Sequence, residues 1–184
     1  SLILILQDGM AAYSGEICAM LKEELEVVSA YCVIQNYRYK DKVSVNIEVP
    51  DSLKTAYVPK NILQPLVENA IYHGIVPMEE NGTVEILAER REEMLDLWVI
   101  DTGIGMDENE LKGLEQNGTG HPGVHSIGIK SIRERLEYLY QEHYSFEIYS
   151  EKGKGTTILI SVPYQKDLSL LREAEESEGE NHEK

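Results

Sequence analysis

The sequence predicts an α/β (α+β) two-layer sandwich: a mixed sheet covered by helices on one face. Segments of strand period and helix period are interspersed along the chain without forming simple strand–helix–strand units, which argues against a purely parallel sheet. Two strand pairs are joined by short connections, 90–93 and 153–155, that suit hairpins. With 184 residues, 42% of them hydrophobic, the chain is long enough to bury one substantial core, and no internal repeat is visible.

The elements follow in order. Over 16–35, Cys18, Leu21, Leu25, Val28 and Cys32 recur at alternating steps of three and four, a short heptad seam that suits a helix packed on its own domain or in a dimer bundle. Tyr31 and Ile34 widen the stripe and favour a bundle. From Val43 to Val49 the period becomes two, with Val43, Val45, Ile47 and Val49 on one face. Pro59 suits the first turn of a helix, while Pro65 kinks or delays one. Residues 63–74 read LQPLVENAIYHG, with Leu63, Leu66, Val67, Ala70 and Ile71 on one helical face and Glu68, Asn69 and His73 on the others.

A hairpin is expected from strands 83–89 and 94–101 around Arg90-Arg91-Glu92-Glu93. Asp107 and Glu110 form a capping box that starts a short helix. The stretch 113–128, GLEQNGTGHPGVHSIG, holds five glycines and a proline, which is too long and glycine-rich for a passive connector and reads as a mobile lid. A helix over 129–140 and strands 144–149 and 157–162 complete the expected domain.

Composition narrows the function. With 33 acidic against 17 basic residues the net charge is -16, which disfavours nucleic acid and anionic membrane surfaces. Residues 167–184 carry seven acids and two bases and read as a disordered tail. Cys18 and Cys32 have no metal-ligand spacing and are expected as free thiols. The opening SLILIL is too short to span a membrane, so the chain reads as soluble, and its abrupt start reads as a cut from something longer.

Asp101-Thr102-Gly103-Ile104-Gly105-Met106 follows an apolar strand end, placing a carboxylate beside backbone that a flat ligand can approach. Ser126-Ile127-Gly128 opens a helix whose free N–H groups, with Lys130, offer an anion site. Gly153-Lys154-Gly155-Thr156 lies between two strands, where a plain hairpin is the simpler explanation. His121 and His125 lack a third ligand at useful spacing and read as ordinary loop histidines.

The order of these boxes, an Asn-bearing helix, Asp-x-Gly-x-Gly, a glycine-rich lid and Gly-x-Gly-Thr, resembles the nucleotide site shared by sensor histidine kinases, gyrase, Hsp90 and MutL. LQPLVENAIYHG, preceded by ELEVVSAYCVIQNYRY and followed by SIGIKSIRERL, resembles the LytS/YesM-type branch of bacterial histidine kinases over about residues 21–163. That resemblance implies the ATP-binding catalytic domain of a two-component sensor kinase, with ATP and Mg2+ as cofactors, a response regulator as protein partner and a homodimer in the full-length protein.

The implied layout is an N-terminal dimerisation region over 1–40, the catalytic domain over 41–164 and a tail over 165–184. It further implies a cytoplasmic domain of an inner-membrane sensor, held there by an upstream segment, whose phosphoacceptor histidine also lies upstream. By resemblance, Glu68 and Asn69 are the catalytic pair and Asn69 the magnesium ligand. Asp101 accepts from the adenine amine beside Thr156, with Gly103 and Gly105 against the base. His73, Gly128 and Lys130 face ribose and phosphates.

Three positions depart from the pattern. Pro65 stands where ATP-hydrolysing relatives carry the water-activating glutamate, Tyr72 where many kinases carry a phosphate-binding lysine, and Ser126 replaces a lid glycine. Alternatives to the kinase are therefore an ATPase-type conformational switch of the gyrase and MutL class and a non-catalytic interaction module of the same fold.

Overall fold

The computed structural model describes residues 17–40, 42–117 and 125–167. Strand β1 (Cys18–Met20) leads into helix α1 (Leu21–Tyr39), then come strand β2 (Val43–Glu48), a 3-10 turn (Asp51–Leu53) and strand β3 (Tyr57–Pro59). Helix α2 (Gln64–Asn69) runs on as a π-helical turn (Ala70–Ile75). The chain continues through β4 (Gly82–Arg91), β5 (Met94–Asp101), α3 (Glu108–Asn117), α4 (His125–Tyr140), β6 (Ser145–Glu151) and β7 (Gly155–Pro163).

Five strands form one sheet in the order β2-β4-β5-β7-β6. Only β2 and β4 pair in parallel, so the sheet is mixed, as expected. Alternation puts Val84, Ile86, Leu95, Leu97, Val99, Ile148, Ile158 and Ile160 on one face, where they share a core with Leu25, Val28, Leu66, Val67, Ile71, Ile132 and Leu136 from the helices. The other face carries Glu85, Glu89, Glu147 and Tyr149. Asp96 on that face is buried all the same, its carboxylate accepting from Ser161 Oγ and Arg91 Nε.

Several boundaries differ from the expected ones. The first helix begins at Leu21, because Cys18–Met20 pairs antiparallel with Tyr57–Pro59 and ends at a backbone bond from Leu21 N to Ala56 O of 2.8 Å. The same pairing makes Pro59 the last residue of a strand, and it is Pro65 that occupies a first helical turn. The β4–β5 hairpin is longer and tighter than expected, closing through Glu92 in a left-handed conformation (φ 54°). The capping box is present: Asp107 Oδ1 accepts from the N–H groups of Asn109 and Glu110 at 2.9 and 3.0 Å, and Glu110 Oε2 from that of Asp107 at 2.9 Å. Helix α3 nevertheless continues through Gly113 to Asn117, because Leu114 is buried in the core, and α4 starts at His125. Residues 118–124 of the expected lid, His121 among them, and residues 168–184 of the expected tail lie outside the described residues.

The heptad seam of α1 faces its own domain: Leu21, Leu25, Val28 and Cys32 are buried in the common core. Ile34 lies on the opposite side, 64% exposed, in an outward stripe with Val27, Val33 and Tyr37. Both cysteines are buried free thiols, and burial pushes Cys32 up to about 11.

Candidate nucleotide-binding site

A cavity of about 340 Å³ opens between the π-helical turn, the end of β5, the loop after it and helices α3 and α4, near the small end of ordinary ligand pockets. Its interior is apolar, with Val99, Ile104, Met106, Leu114, Ile129, Ile148 and Ile158 on its walls. Asn69, His73, Asp101, Glu110 and Thr156 are the polar residues that reach it. Four of these were anticipated. Glu110 was expected only as a capping residue, and the apolar walls carried no mark of their own beyond the period-two face of β5, β6 and β7.

Asp101 ends β5 at 7% exposure. Burial raises its carboxyl from 3.8 to about 6, against the lowering effect of the Gly103 and Thr156 backbone N–H groups; the Gly103 bond is 2.7 Å long. A buried acceptor that stays ionised at neutral pH suits a ligand donor such as an aromatic amine. Thr156, opposite Asp101 in the β5–β7 register, has its hydroxyl within 2.9 Å of Ser150 Oγ. Ser150 also accepts from Met106 N at 2.9 Å, fixing the loop to the β6–β7 hairpin.

The glycines of the Asp-x-Gly-x-Gly box have a structural reason of their own. A Cβ on Gly103 would lie 2.3 Å from Gly74 Cα, because the π-helical turn presses its backbone onto the loop, sealed by Ile104 N donating to Gly74 O at 2.9 Å. Gly105 lines the cavity, whereas Gly103 lies behind Asp101 and does not.

Asn69 is the last residue of α2, and its Nδ2 is buried without a hydrogen-bond partner among the described residues. An orphaned amide costs free energy unless a water or a ligand takes it, and this one borders the cavity. Gly128, in the first turns of α4, approaches from the other side: a Cβ there would stand 3.9 Å from Asn69 Nδ2 and 3.5 Å from Pro65 Cβ. Lys130 is exposed and faces Glu134 at 3.7 Å rather than the cavity. Glu68 also stays outside the cavity; its Oε1 accepts from Gln64 Nε2 at 2.8 Å, and it lies on the side of α2 that faces Tyr31 of α1.

The approach to α2 is clamped from two directions. Glu24 of α1, 5% exposed, accepts from the backbone N–H groups of Asn61, Ile62 and Leu63 at 2.8, 2.9 and 3.3 Å. Arg135 of α4 donates to Lys60 O at 2.6 Å. Both residues stand within stretches that carry the resemblance, ELEVVSAYCVIQNYRY and SIGIKSIRERL, but their partners lie 37 and 75 residues away along the chain, so no local pattern gives them this role.

Residues 58–166 match the family described as histidine kinase-, DNA gyrase B- and HSP90-like ATPase, and the chain belongs to that family. Among curated proteins it is 33% identical over 148 residues to the sensor histidine kinase YesM of Bacillus subtilis, covering 80% of this chain and 24% of that protein. It is 30% identical to the sensor protein kinase HptS of Staphylococcus aureus, covering 79% of this chain and 28% of that one. The chain thus spans about a quarter of the length of these relatives. The fold is that of the histidine kinase domain from the blue-light activated kinase of Erythrobacter litoralis (TM-score 0.59, 18% identity, 83% of this chain and 64% of that one). The catalytic domain of histidine kinase ThkA is similar too (TM-score 0.56, 20% identity, 79% and 94%).

Proposed function

We propose that the chain is the ATP-binding catalytic part of a two-component sensor histidine kinase and passes the ATP γ-phosphoryl group to a histidine upstream of residue 1. The observation that carries this reading is the cavity's pairing of buried Asp101 with the orphaned buried amide of Asn69 across an apolar interior. Asp101 accepts from the adenine amine, Thr156 stands beside it, and Gly105 borders the base. His73 faces the ribose, with Gly103 supporting from behind and Gly128 on the phosphate side, while Lys130, expected there too, faces Glu134 instead.

In the transfer, the bond from the γ-phosphorus to the oxygen bridging to ADP breaks, a bond to an imidazole nitrogen forms, and the imidazole gives up its proton. Magnesium, when bound, neutralises phosphate charge. The site fits it, because a half-turn of the Asn69 carboxamide presents Oδ1, a hard oxygen ligand, where Nδ2 now lacks a partner. Glu68 is the electrostatic neighbour of the phosphates in this reading. Pro65 leaves no carboxylate at the position from which hydrolytic relatives activate water, which favours the kinase over the ATPase switch.

Residues 41–164 form the catalytic unit in this proposal, 1–40 the end of a dimerisation region and 165–184 a tail. The outward stripe Val27, Val33, Ile34 and Tyr37 suits a homodimer contact in the longer protein, and a response regulator takes the phosphoryl group onward. No helix among the described residues is long and apolar enough to cross a membrane; in this proposal an upstream segment tethers the domain to the inner membrane.

Calorimetric titration with ADP, with and without magnesium, tests the reading. We expect magnesium-dependent binding, slow ATP hydrolysis, and no phosphohistidine on this chain after incubation with radiolabelled ATP and an alkaline quench. Rapid phosphate release would favour the ATPase switch, and label on the chain itself would relocate the acceptor. Asn69→Ala is expected to remove most of the benefit of magnesium without unfolding the protein; equal magnesium dependence in parent and variant would refute the ligand assignment.

A further inference from the structure

We propose that Arg38 of α1, steadied by Tyr72 of the π-helical turn, is a cation that receives the nucleotide's terminal phosphates. The inference rests on the nucleotide reading above. Among the described residues no lysine or arginine lines the cavity, and the chain carries a net charge of -16, yet a nucleoside triphosphate brings several further negative charges. Lys130, the cation expected from the sequence, is turned toward Glu134.

The direction of the phosphates follows from the two ends of the cavity. Gly74 abuts Asp101, a Cβ there falling 2.8 Å from Oδ1, so the base end lies at the C-terminal part of the π-helical turn. Asn69 and Gly128 meet at the other end, toward the start of α2. Phosphates leaving the base end therefore run back along this helix. Asn69 and His73 present themselves to the cavity, while the residue before each of them, Glu68 and Tyr72, lies on the side toward α1.

There the guanidinium of Arg38 donates from Nη1 to Tyr72 Oη at 3.1 Å and sits 5.4 Å from the Tyr39 ring centre. Tyr39 and Tyr72 meet edge to face, ring centres 6.2 Å apart and planes at 86°. Two aromatic rings thus hold a guanidinium that remains exposed, and none of the ion pairs among the described residues involves it. One N–H is used on Tyr72, which leaves the rest of the planar fork for phosphate oxygens. Glu68 and Tyr72 both neighbour Tyr31 of α1, so phosphates on that side of α2 meet a carboxylate whose repulsion a cation offsets.

Placing the phosphate cation on α1 has a mechanistic consequence. Any shift of α1 relative to α2 removes a phosphate contact while leaving the adenine end intact, so triphosphate affinity would report the position of this helix.

The test is calorimetric titration of the parent, Arg38→Gln, Arg38→Lys and Tyr72→Phe with ATP, ADP and adenosine in the presence of magnesium, with thermal melts to confirm folding. Arg38→Gln should weaken ATP about tenfold or more, leave adenosine unchanged and flatten the salt dependence of ATP binding. Arg38→Lys should recover part of the loss, and Tyr72→Phe should give a smaller loss confined to ATP and ADP. Equal weakening of ATP and adenosine, or no change in either, would show that Arg38 only pins α1 to α2 and overturn the inference alone. A parent that binds none of the three would overturn the nucleotide reading and this inference together.

Discussion

Replacing Asp101 by asparagine is expected to weaken adenine nucleotides about 10- to 100-fold while leaving the fold intact, the range for losing a hydrogen bond to a charged acceptor. Asparagine keeps the shape of the side chain and can still accept from Gly103 N through Oδ1, as Asp101 does at 2.7 Å. Its Nδ2 then faces the adenine amine, donor against donor. The same amide can donate to the carbonyl of guanine, so the preference for ATP over GTP should narrow.

The pH dependence separates this role from a structural one. Burial raises the Asp101 carboxyl from 3.8 to about 6, so the folded state holds its proton more tightly than the unfolded chain does. The stabilising contribution of this group is therefore complete below 3.8 and is lost as pH rises through about 6. At neutral pH the ligand-free protein bears a charge-burial cost on the order of 3 kcal/mol, which asparagine relieves. We expect Asp101→Asn without ligand to be at least as stable as the parent at pH 7, by thermal melting. Nucleotide affinity of the parent should rise with pH through about 6, where the acceptor ionises, and that of the variant should not. A variant that binds ATP like the parent, or that loses binding only because it melts, would remove Asp101 from the adenine site.

Asp101 was legible because its signal is local: an apolar strand end, a carboxylate and two glycines fall within six residues. The strand at Val43 and the capping box at Asp107 were legible for the same reason, since alternation and a three-residue spacing are written in the elements themselves. Strand β1 was not. Its three residues continue a heptad pattern, and only pairing with Tyr57–Pro59, far along the chain, makes them extended. Pro59 was misplaced by the same partner. Helix α3 outran its expected end because burial of Leu114 outweighs the helix penalty of Gly113, about 1 kcal/mol. The contacts of Arg38 with Tyr72, and of Glu24 with the loop before α2, join positions more than thirty residues apart, 34 and 37 for the first bonds of each. A local pattern carries no trace of such pairs.

Gly105→Ala is the second substitution expected to have a large effect, through the backbone rather than through chemistry. Gly105 has φ +60°, and a Cβ there would stand 2.0 Å from Glu151 O and 3.0 Å from Gly155 O. Both neighbours are backbone of the β6–β7 hairpin, so neither can swing aside as a side chain would. The close approach is what allows Gly153 N to donate to Ile104 O at 2.6 Å and Met106 N to Ser150 Oγ at 2.9 Å. Left-handed strain of about 1–2 kcal/mol and overpacking of about 1–3 kcal/mol together predict a loss of about 2–5 kcal/mol, or roughly 10 °C in melting temperature for a domain of this size. Gly153 provides the control: its φ is +81°, but nothing lies within 4 Å of the added Cβ, so Gly153→Ala should show the conformational strain alone. Equal destabilisation by the two substitutions would mean that the loop accommodates a methyl group without breaking its hold on the hairpin. If instead Gly105→Ala melts lower, the loop is pushed off Glu151, and because Gly105, Ile104 and Met106 all line the cavity, nucleotide affinity should fall with it by more than in Gly153→Ala.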